Sequence, residues 1–123
     1  MNNENNPAPI HMAGAIDLTT PVTKILAIGS WTEKGLDRKA RLPIMIKEVP
    51  ATVNLYLTGV IEQWYLKPDI SGVVFIMNVT TAEAANELLE KLPLGVVEMM
   101  SFEFIPLGPI SPLRFLMQDP LAF

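Results

Sequence analysis

The chain has 123 residues, half of them apolar, a formal net charge of −4 and no cysteine. That length supplies one domain with a single core, and the lack of cysteine excludes a disulfide framework and a thiolate nucleophile. The acidic balance argues against nucleic acid as a partner, and no apolar run approaches the ~20 residues of a membrane span.

A single histidine with no cysteine disfavours a structural zinc site. The opening MNNENNPAPI has neither a basic n-region nor an apolar h-region, so a cytoplasmic location is expected. Mean hydropathy is +0.32, which is high for so small a domain. A small fold leaves much of its surface outside, so that surplus points to burial against further copies, as a homodimer or higher homo-oligomer.

Residues 1–22 read as an arm, rich in asparagine and broken by Pro7, Pro9 and Pro21. His11-Met12 is readable as a cloning junction, the native chain then starting at Met12. A folded domain is expected over 23–108, and 109–123 forms an apolar, proline-rich tail. Prolines 109, 112 and 120 make that tail an extended arm lying on a partner subunit.

Thr23 to Ser30 carries the unbroken run Ile25 to Ile28, a strand buried on both faces. Connecting residues follow to Leu42. A helix is then expected over Ile44 to Leu57, with Ile46, Val49, Val53 and Leu57 as its apolar face. Pro43 suits its first turn, Gly59 its end, and Pro50 predicts a kink or a second helix start.

Val60 to Lys67 alternates as a strand, placing Glu62, Trp64 and Leu66 on one face and Ile61, Gln63 and Tyr65 on the other. Pro68 to Gly72 is a turn, and Val73 to Val79 a second doubly buried strand. Thr80 or Thr81 caps a helix with Ala84, Ala85, Leu88, Leu89 and Leu92 inward. An extended run from Val96 to Leu107 is the last strand, bracketed by prolines.

The order βαββαβ predicts an α+β, ferredoxin-like domain with an antiparallel sheet of order 4-1-3-2 and both helices on one face. The two most apolar strands would be central. The Glu62 strand and the Pro106 strand would be edges, where proline is tolerated.

Signatures for serine hydrolases, zinc proteases, dinucleotides and phosphate loops are absent. Cofactor-independent chemistry, with no metal, flavin or nicotinamide, is therefore expected. The candidate acid/base groups are Glu62 and Glu48, since a carboxyl facing an apolar cavity is a proton shuttle near neutral pH. Solvated side chains are the plain alternative for both. Tyr56 and Trp64 are candidates to orient a planar substrate, or to pack. Asn78, inside an apolar strand, is either structural glue or a substrate contact. Arg38 and Arg41 belong to a basic group that is either a solvated face or an anchor for a substrate carboxylate. Glu98 and Glu103 should face opposite sides of the last strand. His11 would act only if the arm folded back.

Leu92-Pro93-Leu94, followed by Ser101-Phe102-Glu103-Phe104-Ile105-Pro106-Leu107, resembles the C-terminal half of the muconolactone isomerases. These belong to the dimeric α/β barrel proteins. The resemblance covers Lys24 to Leu107 as an order of elements and Leu92 to Leu107 as residues. It implies a barrel closed by two sheets and a pocket between sheet and helices. It also implies isomerase or cyclase activity, by proton transfer on a small unsaturated lactone or polyketide-like molecule. Relatives include cofactor-free monooxygenases and pericyclases. Glu103 matches a glutamate of the family segment, and the folded part has no histidine for a histidine-based mechanism. A non-catalytic, ligand-binding homo-oligomer is the alternative from another class.

Overall fold

The computed structural model describes residues 19–117, which fall into two units. One comprises residues 22–107; the described part of the other comprises residues 19–21 and 108–117.

Strand β1 (Lys24–Trp31) is apolar on both sides because both of its faces are needed. Ile25 and Ala27 are fully buried on one face, while Leu26 and Ile28 are half-buried on the other. It pairs antiparallel with β3 (Gly72–Met77) and with β4 (Met100–Leu107). Edge strand β2 (Ile61–Leu66) pairs with β3. The sheet order is therefore β2-β3-β1-β4, as the alternation of apolar and polar strands predicts. Pro106 sits on edge strand β4, opposite Ile25, where its missing N–H breaks no inner ladder.

Helices α1 (Arg38–Leu57), α2 (Ala82–Glu90) and the single turn α3 (Pro93–Val96) complete the unit. Ala51 and Leu55 of α1 and Ala85 and Leu89 of α2 pack on the face made by Ile25, Ala27, Phe75 and Met77. The result is an α+β fold with a four-stranded antiparallel sheet and helices on one face, compatible with a ferredoxin-like arrangement. Among the described residues, no helix is long and apolar enough to cross a membrane.

Three expectations about α1 and the last strand need correction. Helix α1 starts six residues earlier than Ile44, because Asp37 caps it by accepting from the N–H groups of Lys39 and Ala40 at 3.0 and 3.4 Å. It then runs as one helix through Pro43 and Pro50. The carbonyls these prolines leave free are those of Lys39 and Ile46, both exposed residues that water can reach.

The second correction is the inward face of α1. Glu48 and Thr52 are buried, whereas Ile46, Val49 and Leu57 are exposed. The apolar stripe that reads as a core face lies outside. Third, the last strand begins at Met100 rather than Val96. Pro93 opens the one-turn α3, and Glu98 follows in a left-handed turn with φ 59°. Glu98 is thus not a strand residue, while Glu103 stands on β4 opposite Ile28.

Thr81 caps α2 by accepting from Ala84 N–H at 3.0 Å. In the other unit, Ser111–Met117 winds into 3-10 turns, correcting the extended tail. Proline is compatible with the first turn of such a helix, which explains how Pro112 is accommodated. Residues 1–18, including His11, and 118–123, including Pro120, lie outside the described residues.

Candidate functional site

Strand β2 determines what the site can contain. Ile61 pairs with Met77, yet Gln63 pairs with Ile76, so one extra residue, a β-bulge, stands between them. The bulge breaks the period of two. Ile61 and Trp64 both point into the core, while Glu62 reaches the opposite face of the sheet and Gln63 pairs there with Ile76. Glu62 therefore does not share a face with Trp64 in the way simple alternation requires.

On that opposite face Glu62 forms an ion pair with Lys24 of β1. The Lys24 ammonium also donates to Asn78 Oδ1 at 2.9 Å, and Asn78 Nδ2 donates to Gly59 O at 2.7 Å. Asn78 is exposed just past the end of β3 rather than buried within it. Its amide ties the end of β3 to the turn after α1.

Where the last turn of α1 passes β2, Tyr56, Glu62, Gln63, Trp64 and Tyr65 line a shallow hollow of about 400 Å³. Three of the sequence-predicted site residues, Tyr56, Glu62 and Trp64, therefore meet there. Trp64 is held edge-on to Phe75, with ring centroids 6.0 Å apart, which fixes one wall. Tyr65 Oη donates to Gln63 Oε1 at 2.6 Å and fixes another. The hollow can seat a small planar molecule between aromatic walls, with the Glu62 side chain at its rim and the carboxylate held by Lys24.

Glu48 is elsewhere. It lies two turns back along α1, about 12 Å from Tyr56 along the helix axis. Its carboxyl is buried, with Oε1 accepting from Leu94 N–H at 2.8 Å and Oε2 lying 3.0 Å from Thr52 Oγ1. Burial raises the Glu48 pKa from its ordinary value, and the contacts with Leu94 and Thr52 only partly offset this. Thr52 Oγ1 also lies 2.9 Å from Glu48 O, but a hydroxyl has one proton to give. That one proton is therefore shared between Glu48 O and Glu48 Oε2.

Arg41 stacks its guanidinium 4.1 Å from the Trp31 ring centroid and donates from Nη1 to Gly35 O at 2.8 Å. Arg38 is exposed at the first residue of α1. Neither of them lines the hollow.

A second hollow of about 310 Å³ includes Thr32, Asn86, Glu90, Glu98 and Ser101. Thr32, Asn86 and Ser101 carry no sequence signal; they come from the end of β1, from α2 and from β4, and Thr32 Oγ1 donates to Glu98 O at 2.7 Å. Among the described residues, no group of three or more histidine, aspartate or glutamate side chains could hold a metal ion.

Comparison with known proteins finds no family model that matches the chain and no curated protein that matches it.

Proposed function

We propose that residues 22–107 form a cofactor-independent isomerase or cyclase that moves a proton on a small unsaturated lactone or polyketide-like molecule. The reading rests above all on one observation: Tyr56, Glu62 and Trp64 meet around a single hollow. The Glu62 carboxylate takes a proton from an acidic carbon of the substrate and returns it to another carbon, so that only a double bond moves. Tyr56 and Trp64 hold the ring plane. The Lys24 ammonium, already paired with Glu62, attracts a substrate carboxylate or enolate oxygen to the same place. Glu48, with both oxygens engaged by its own chain, supports α1 and α3 rather than the reaction.

The same reading includes a homodimer. The face opposite the helices carries Leu26, Ile28, Val74 and Ile76 at its centre, and a second sheet laid on it would close an α/β barrel.

The test is proton exchange. Small unsaturated lactones and β-polyketones are incubated with the protein in deuterium oxide, and carbon-bound deuterium is followed by NMR. Glu62→Gln keeps the shape and removes the base, so exchange should fall by about 10² or more. Full exchange in Glu62→Gln would discard the assignment, and Glu48→Gln should leave exchange unchanged.

A second reading is a non-catalytic ligand-binding protein, favoured by the openness of the hollow and by the ion pair that already neutralises Glu62. Saturable binding that Trp64→Ala abolishes, with no exchange on any substrate, would select it.

A further inference from the structure

The outer side of α1 is the largest unexplained feature of the domain. Glu48 and Thr52, only 8% and 1% exposed, face the core. Leu42, Ile46 and Leu57 on the other side are 63%, 69% and 75% exposed, and Val49 is exposed as well. With Val53 these residues lie within about 80° of one another around the helix, at the spacing of a helix-packing seam. The stripe is separate from the sheet face and from the hollow.

Three features identify what covers it. The stripe is symmetric about a point between Val49 and Pro50. Leu42 and Leu57 lie equally far from that point on either side, as do Ile46 and Val53, and as do Val49 and Pro50. Such a stripe is its own complement when a second helix of the same sequence runs antiparallel to it.

Second, the charges suit that arrangement. Within Arg38–Leu57 the only acidic residue is Glu48, which is buried, and the last turn has no basic residue. Arg38 and Lys39 at the start of one helix would face the electronegative carbonyl end of the other. Lys47 points well off the seam, about 110° around the helix from its centre, so no like charges meet. Third, a parallel pairing would stack Arg38 and Lys39 on their own copies and is disfavoured.

We propose that α1 is a second self-association surface, on which two copies of this chain pack antiparallel about a two-fold axis between Val49 and Pro50. Ile46 of each copy then sits against Val53 of the other, and Leu42 against Leu57.

The absence of cysteine allows a direct test on the full chain. Val49→Cys, next to the axis, should form a covalent dimer under mild oxidation. Leu36→Cys, exposed but outside the helix, should not. A mixture of Ile46→Cys and Val53→Cys proteins should give the mixed disulfide in preference to either homodimer. Independently, the Ile46→Glu, Val53→Glu double variant should weaken the contact at least about thirtyfold, read as a fall in mass by light scattering across a dilution series. Ile46 is exposed and Val53 only half-buried, neither in the core, so circular dichroism should be unchanged. Equal cross-linking at 49 and 36, no cross-linking at 49, or an unchanged mass in a folded double variant would overturn the proposal.

Discussion

Glu48 on α1 accepts the backbone N–H of Leu94, a residue 46 positions further along the chain, at 2.8 Å. This bond joins the long helix to the one-turn α3 that launches β4. It also holds a buried carboxyl beside the buried Leu94, where the charged form is poorly solvated.

The first prediction concerns pH. Burial raises the folded-state pKa of Glu48 above 4.5, so the folded state holds this proton more tightly than the unfolded state does. The stabilisation linked to the proton is complete below the unfolded value and is lost as pH rises through the folded one. Glu48→Gln keeps an acceptor for Leu94 N–H and supplies a permanent donor to Thr52. Its stability relative to wild type should therefore rise with pH, measured by urea unfolding from pH 4 to 8. Parallel pH curves would count against the linkage. Glu48→Leu, which leaves the Leu94 N–H unpaired, should cost about 1–3 kcal/mol even in acid.

The second prediction separates pairing from packing. Lys24 and Glu62 are both partly exposed, so their ion pair should matter little to the fold. Lys24→Met should change unfolding free energy by no more than about 1 kcal/mol and reduce its salt dependence. A loss of several kcal/mol would mean that Lys24 holds β2 in the sheet through Asn78 and Gly59.

The third prediction concerns Gly72, the first residue of β3. A Cβ there would stand 1.8 Å from the carbonyl oxygen of Gly29 on β1. That neighbour is backbone, paired in register, and has no rotamer to adopt. Gly72→Ala should destabilise the domain by about 1–3 kcal/mol and lower Tm, by differential scanning calorimetry. A wild-type Tm would show that β1 and β3 can separate locally without loss.

The fourth prediction concerns the tail. Ile110, just before its 3-10 turns, and Leu113, Leu116 and Met117 along them are exposed, a large apolar surface for a short segment. Chains ending at Gly108 should associate more weakly or aggregate, as followed by light scattering on dilution. An unchanged oligomer after the deletion would make the tail dispensable for assembly.

Strand order was legible because it is dictated by burial: the doubly apolar runs around Ile25 to Ile28 and Val73 to Met77 had to be central. The meeting of Tyr56, Glu62 and Trp64 was legible as a set of residue types, though not by the route alternation suggests. The orientation of α1 was hidden because its most regular apolar stripe is on the outside. What faces the core, beside Ala51 and Leu55, is a carboxyl and a hydroxyl four residues apart that can satisfy each other. The Glu48-x-x-x-Thr52 spacing was the available signal. Asn78 was misplaced because an amide at the end of an apolar run reads as internal when the run is taken one or two residues too long.

The bulge in β2 has a consequence that can be expressed as a count of codons. Without Gln63 the hairpin would still alternate, with Ile61 and the tryptophan both inward and Glu62 facing Ile76. The core gains nothing from the additional residue. What it adds is a second polar side chain beside Glu62 at the rim of the Tyr56–Trp64 hollow, supplied by a single triplet of DNA.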